Sequence, residues 1–309
     1  MLVLFIFEMY NIIMEVIYMS FRNVGFACMS LKCNTKYNTF RLASFSENRL
    51  YTTVIHNIQE TERTIKQCIA DDCHMFRLSS DLVPFASHEV IKGIKYLDWI
   101  KPELKRIGQL CKDNNIRISC HPSQVVNINS PSEGVVKTSV KDLIYHYNIL
   151  NNIGEQDFDI IIHTGGVYGD KIAAMKRFIR VFNKLPEQLR SHIVLENDDK
   201  SYNINDVMKI HKYCGMPIVL DYHHHVCYNN GLELDLKAIF DTWGTKTPKI
   251  HISSPKSDKE FRSHSDYIDI NYCKDFLKQA EPYIYDIMIE SKKKDLSVEK
   301  FKKDFLIIK

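Results

Sequence analysis

The residues able to do chemistry in this chain fall at the ends of short apolar runs. The run 118–120 leads into His121, 160–162 into His163, 193–195 into Glu196 and 218–220 into Asp221. Lys249 and His251 bracket Ile250, and the run 287–289 leads into Glu290. Continuous Val/Ile/Leu runs mark buried parallel strands, and α/β folds collect their reactive groups at the carboxyl ends of such strands. A carboxylate ending an apolar run is costly to bury alone, so Glu196, Asp221 and Glu290 each require a cation or an arginine partner. Imidazole nitrogens and carboxylate oxygens suit Zn²⁺ and Mn²⁺. The nine cysteines form no C-x-x-C pair, which argues against an all-sulfur site and against a disulfide framework.

Taken singly, His121 and His163 also read as ordinary hydrogen bonders at strand ends. His163 precedes Thr164-Gly165-Gly166, a turn that permits close backbone approach. The triplet His223-His224-His225 is open: strand alternation puts Asp221 and His223 on one face and His224 on the other, but that phase ends where the chain turns to the rim. Lys249 and His251 share a face by the same rule. The lysine then neutralises a carboxylate, meets a phosphate, carries a carboxyl group that bridges two cations, or is simply a solvated strand start. His88 and His264 lie in loops after the second and seventh strands.

The elements that must position these groups alternate along the chain. Strands are expected at 23–28, 75–79, 117–121, 159–164, 192–197, 217–222, 249–253 and 286–290. Helices are expected near 51–71, 103–114, 134–153, 170–184, 204–214, 234–241, 271–281 and 297–305. Eight such pairs with no linker predict one (β/α)₈ TIM barrel over residues 21–309, with a metal cluster at the carboxyl rim of its strands. A doubly wound sheet is the alternative, but no G-x-G-x-x-G or P-loop motif supports it or a nucleotide cofactor. The longest loops, about 80–102, 122–133 and 254–270, would wall the substrate groove. Length (309 residues) and apolar content (45%) allow a large core, and a net charge of +3 restricts any phosphate-binding surface to a local patch. The odd cysteine count fits a reducing, intracellular compartment. Residues 1–20 are apolar but lack a basic start and are interrupted by Glu8 and Glu15, so they read as an extension outside the core fold, not as a secretion signal or membrane anchor.

Several motifs resemble the ultraviolet-damage DNA endonuclease family (UvdE/UvsE). They are Phe76-Arg77-Leu78-Ser79-Ser80, Val83-Pro84-Phe85-Ala86-Ser87-His88, Ser119-Cys120-His121-Pro122-Ser123-Gln124, Ile162-His163-Thr164-Gly165-Gly166-Val167-Tyr168-Gly169, Leu195-Glu196-Asn197-Asp198 and Met288-Ile289-Glu290-Ser291-Lys292. The resemblance implies a metal-dependent barrel related to endonuclease IV and the xylose isomerase-like enzymes, which nicks damaged duplex DNA immediately 5′ of pyrimidine photoproducts and leaves a 3′-hydroxyl and a 5′-phosphate. It implies up to three divalent ions, commonly manganese, with His121, His163, Glu196, Asp221, His224, His251, His264 and Glu290 as ligands and His88 nearby. It favours His224 over His223, and it matches Lys249 to a lysine that is carboxylated at the metals. Lys249, Glu196 and Glu290 are thereby the expected catalytic groups. Metal-activated water would attack the phosphorus in line, with no protein nucleophile.

The sequence departs from the family where the family probes damage. Gln124 persists, but Val125 replaces an aromatic residue and Phe26 stands in place of a tyrosine; losing an aromatic stack removes roughly 1–3 kcal/mol per base and should broaden lesion recognition. Tyr168, Tyr222 and Arg77 are expected to help line the groove, and Lys292-Lys293-Lys294, at the rim, could meet the phosphate backbone but reads rather as a solvated face. The expected protein is a monomer that acts on DNA and not at a membrane. A sugar isomerase or epimerase on the same barrel, and a catalytically dead DNA-binding barrel, are the rival readings. The long loops and the lysine disfavour the first, and the full ligand set disfavours the second.

Overall fold

The computed structural model describes residues 21–123, 126–154, 157–228 and 232–308. The extension 1–20, and Gln124 and Val125, lie outside the described residues. Eight parallel strands close into a barrel in sequence order: β1 (Phe21–Ala27), β2 (Met75–Leu78), β3 (Arg117–Cys120), β4 (Asp159–His163), β5 (Ile193–Glu196), β6 (Ile218–Asp221), β7 (Lys249–Ile252) and β8 (Tyr285–Ile289). Every expected strand is present, because a barrel strand is buried on both faces and reads as an unbroken apolar run.

The helices between them are α1 (Glu47–Ala70), α2 (Tyr96–Asp113), α3 (Glu133–Ile153), α4 (Lys171–Phe182), α5 (Glu187–Arg190), α6 (Ile204–Cys214), α7 (Tyr222–Cys227), α8 (Leu236–Asp241), α9 (Ile270–Ala280) and α10 (Lys294–Ile308). Local chemistry sets their ends. Ser46 caps α1 by accepting from the Arg49 amide, and Asn203 and Asp206 form a reciprocal capping box at α6. Gly215 ends α6 at φ 69°, a left-handed conformation that suits glycine. The helix expected from residue 103 starts earlier, at Tyr96, with Pro102 inside it.

Period-two alternation inside a closed barrel stacks side chains in three tiers. On β3 the inward series is Arg117, Ser119, His121; on β4 it is Asp159, Ile161, His163; on β8 it is Asp286, Met288, Glu290. The lowest tier is identified by ion pairs, one between neighbouring strands and two across the lumen. At the floor Arg117 pairs with Asp159 at 2.8 Å and with Asp286 at 2.7 Å, and Lys249 on β7 reaches Asp159 on β4 at 2.7 Å. Ile161, Val194 and Val219 pack with Trp243 in the apolar tier above. The third tier, at the carboxyl ends, holds the histidines and acids.

The candidate metal centre

Glu196, fully buried at the end of β5, is the hub of the upper tier. One oxygen meets His121 Nε2 at 2.9 Å and the other meets His251 Nδ1 at 2.9 Å. His163 Nε2 and His224 Nδ1 each lie 3.6 Å from the same carboxylate. Strand register makes this convergence: His163 pairs directly with Glu196 across β4 and β5, and Asp221 with His251 across β6 and β7. Two sets of ligand atoms result, each within 4.8 Å of one another: His121, His163 and Glu196, and then Glu196, Asp221, His251 and Glu290. Glu196 belongs to both. The rings of His121, His163, His224 and His264 form an arc, with successive centroids 5.0, 5.8 and 6.2 Å apart.

The hydrogen bonds fix what these rings present. His121 Nδ1 bonds the Pro122 carbonyl at 3.0 Å, His224 Nδ1 the Asn197 carbonyl at 3.1 Å, and His264 Nδ1 the Glu290 carbonyl at 3.1 Å. A carbonyl only accepts, so each Nδ1 carries the proton, and in the neutral ring Nε2 keeps its lone pair. In neutral His121 that lone pair faces a carboxylate oxygen, a contact that needs a proton or a cation between the two atoms. Asp221 Oδ2, His251 Nε2 and His163 Nδ1 are buried without a hydrogen-bond partner. Unpartnered buried polar atoms on three of these residues, a cluster of three largely buried carboxylates, and imidazoles oriented by main-chain carbonyls match the donor set and outer support that divalent metal ions require.

Electrostatics agree. Burial, then Glu290 and Glu196, push Asp221 up to about 6. Burial opposes charge on His224, but Asp221, Glu196 and Glu290 outweigh it and raise the ring to about 9. Burial lowers His163 to about 4. Glu196 and Glu290 are held well below the usual carboxylate range despite burial, Glu196 by His251 and His163, and Glu290 by Arg77 and His251.

Several site residues have positions that differ from expectation. Arg77 is mostly buried and pairs with Glu290; it neutralises a candidate ligand instead of lining the groove. Phe26 is fully buried edge-to-face on Phe76, with ring centroids 5.7 Å apart, and so belongs to the core. Tyr222 stacks on Phe276 of α9, with ring centroids 4.5 Å apart, and so packs against the helix layer. Lys249 gives its amine to Asp159 in the floor tier, because it starts β7 two residues below His251. Burial lowers that amine to about 8. His88 is exposed and caps a turn by accepting from the Val90 amide. Tyr168 stands at the mouth, 46% exposed. The histidine triplet lies in α7, so helical spacing replaces alternation there. Asp221 caps that helix on the His224 amide at 2.7 Å, which brings His224 beside it. His223 turns away toward the Tyr272 hydroxyl at 2.9 Å.

Asn197 is a residue whose role the sequence did not reveal, although the L-E-N-D motif contained it. Fully buried, it donates to the Asp221 carbonyl at 3.0 Å and accepts from the Asp221 amide at 2.9 Å, while its own carbonyl holds His224. A cavity of about 230 Å³ opens beside the arc, lined by His121, His163, Gly165, Asp198 and His224 among others. At Gly165, φ is +103° and a Cβ would lie 2.4 Å from Asn129 Oδ1, so only glycine lets the β4 loop pass there.

A closed eight-stranded TIM barrel with a cluster of candidate metal ligands sharing one carboxylate belongs to the class of barrels that gather their reactive groups at the carboxyl ends of the strands. The model of the UV-endonuclease UvdE family matches residues 22–308. The UV DNA damage endonuclease of Bacillus mycoides (strain KBAB4) is 40% identical over 259 residues, covering 82% of this chain and 81% of the relative. That of Bacillus cereus (strain G9842) is 41% identical over the same length, covering 82% and 81%. The crystal structure of SacUVDE matches with a TM-score of 0.86 and 31% identity over 93% of this chain and 98% of that one. Endonuclease IV from Thermus thermophilus shares the fold alone, with a TM-score of 0.58 and 12% identity over 93% of this chain and all (100%) of that one. The chain therefore belongs to the UvdE family of UV-damage DNA endonucleases.

Proposed function

We propose that the chain nicks duplex DNA immediately 5′ of UV photoproducts, including cyclobutane dimers and 6-4 photoproducts, and leaves a 3′-hydroxyl and a 5′-phosphate. The observation that supports this most is the pair of candidate ligand groups joined through Glu196, whose members Asp221, His251 and His163 each carry a buried polar atom without a partner. His121, His163, Glu196, Asp221, His224, His251, His264 and Glu290 would hold two or three divalent ions. The nitrogen and oxygen donors fit manganese, with zinc and magnesium as alternatives. Bound ions supply an acidified water and neutralise charge on the phosphoryl oxygens.

The chain's own residues supply the arrangement. Glu196 ties the two ligand groups together, and Arg77 keeps Glu290 ionised where burial would otherwise protonate it. Asn197 holds His224 and the Asp221 backbone in one frame. Gly165 lets the main chain of the β4 loop lie close to a bound strand, and exposed Tyr168 offers a ring for a base to stack on. Gln124 and Val125 follow the His121-Pro122 turn in sequence and would meet the lesion. The substrate places the working protein, a monomer, with DNA inside the cell.

End-mapping on a duplex with one defined photoproduct tests this reading. A single nick on the 5′ side, dependent on added Mn²⁺ and ending in a 3′-hydroxyl, is expected. Equal nicking of undamaged duplex, or a cut on the other side of the lesion, would refute it.

A further inference from the structure

The loop after β7 is a small antiparallel hairpin, a form that strand alternation alone did not reveal. Pro255 and His264 are bridge partners, and the Lys256 amide bonds the Ser263 carbonyl at 2.7 Å. Its base carries the candidate ligand His264. On one side it is stitched to the loop after β8, where the Lys292 amide bonds the Ser265 carbonyl and the Lys293 amide the Asp266 carbonyl, both at 2.9 Å. On the other side Arg262 reaches Asp199, in the loop after β5, at 3.7 Å. The hairpin thus leans along the mouth of the barrel toward the cavity beside the ligand arc.

The chemistry of its surface is unusual for this chain. Residues 255–266 and 292–294 hold six basic side chains (Lys256, Lys259, Arg262, Lys292, Lys293, Lys294) against three acidic ones (Asp258, Glu260, Asp266), a net of +3 that equals the net charge of the whole protein. Glu260 engages Lys256 and Asp266 engages Lys293, but Lys259 and Lys292 have no carboxylate within ion-pair distance among the described residues. At the tip, the Phe261 ring is 37% exposed and packs beside His223 and Tyr272, with ring centroids 5.9 and 6.4 Å away. Its position is therefore fixed.

We infer that this hairpin, with Lys259, Lys292 and the face of Phe261, is an arm that grips the phosphate backbone and groove edge of duplex DNA beside the metal centre. The inference rests on the DNA-endonuclease reading above and extends it to a surface of its own. Charge complementarity selects the occupant. A polyanion of regular spacing satisfies several isolated lysines along one edge, and an aromatic face among them suits a nucleic acid better than an acidic peptide. Because His264 sits at the base of the same hairpin, DNA held at the tip also steadies one end of the ligand arc.

The test is anisotropy of an undamaged fluorescein-labelled duplex with the metal-loaded protein, between about 50 and about 200 mM salt. In the Lys259→Ala/Lys292→Ala variant, the slope of log affinity against log salt should fall by about 2, one for each lysine withdrawn from a phosphate. Phe261→Ala should weaken binding by about fivefold or more with the slope unchanged. Melting temperature and metal content of both variants should match the parent. A parental slope in the double variant overturns the arm, and full affinity in Phe261→Ala overturns the part assigned to the ring. Failure of the parent protein to bind duplex at all would instead sink the DNA-endonuclease reading beneath it.

Discussion

Replacing Glu196 by Gln tests the centre at its hub. The side chain keeps its shape but loses its charge and one acceptor oxygen. The carboxylate now faces four imidazoles, two at 2.9 Å and two at 3.6 Å. With a proton also on His121 Nε2, the two short contacts are charge-assisted hydrogen bonds of about 1.5–3 kcal/mol each, so weakening both costs about 3–6 kcal/mol of organisation at the site. A loss of about 4 kcal/mol in transition-state stabilisation corresponds to roughly a thousandfold in rate. Global stability should change far less, because Gln also removes a buried charge whose desolvation opposes folding. The assay is relaxation of a UV-irradiated supercoiled plasmid in the presence of Mn²⁺, with metal content by mass spectrometry and melting by circular dichroism. The expected result is a fall in nicking of two to three orders of magnitude, reduced metal content and a nearly unchanged melting temperature. Nicking within about tenfold of the parent protein, at full metal content, would remove Glu196 from the reaction and with it the two-group centre.

Three further outcomes are expected. Asn197→Ala removes the two side-chain hydrogen bonds that hold the Asp221 backbone, while the main-chain carbonyl that holds His224 stays, and should reduce metal affinity by about 10–100-fold in calorimetry; unchanged affinity would show that Asp221 needs no such support. His224 is raised to about 9, so a metal ion competes with a proton there. Affinity should climb by up to about tenfold per pH unit from about 7 to about 9 and then level off, whereas the stability that this proton gives the metal-free chain is complete below about 6.5 and fades as pH rises through 9. A flat affinity profile from about pH 7 to about pH 9 would refute His224 as a ligand. Arg77→Met leaves Glu290 buried without its cation and should destabilise the metal-free chain by about 3–5 kcal/mol in urea unfolding, with a smaller deficit once metal is bound. An equal deficit in both states would mean that Glu290 does not meet the ions.

The barrel and the rim were legible because their physics is local. A strand buried on both faces must be apolar along its length, and an acid or histidine at its end interrupts that pattern visibly. Side chains that act through tertiary contacts left no such mark. Nothing next to Lys249 in sequence says that Asp159, ninety positions away, will take its amine, or that Arg77 will turn inward to Glu290. Phe26 reads like any aromatic at a strand end until Phe76 closes over it. The triplet 223–225 misled the alternation rule because Asp221 starts a helix at the point where the strand stops. The hairpin at 255–264 carries no glycine turn signal and is made by its bonds to the loop after β8.

The main-chain tethers on His121, His224 and His264 would have a consequence for how the proposed metal centre fills. Ring direction there is set by carbonyls of the rim loops at the carboxyl ends of β3, β5 and β8, and not by the ions themselves. A chain stripped by a chelator should hold its donors in place, like a mould awaiting its casting. Reloading then takes as long as ion capture and not as long as folding, so supply of the metal, more than synthesis of the chain, would govern how quickly repair capacity returns after depletion.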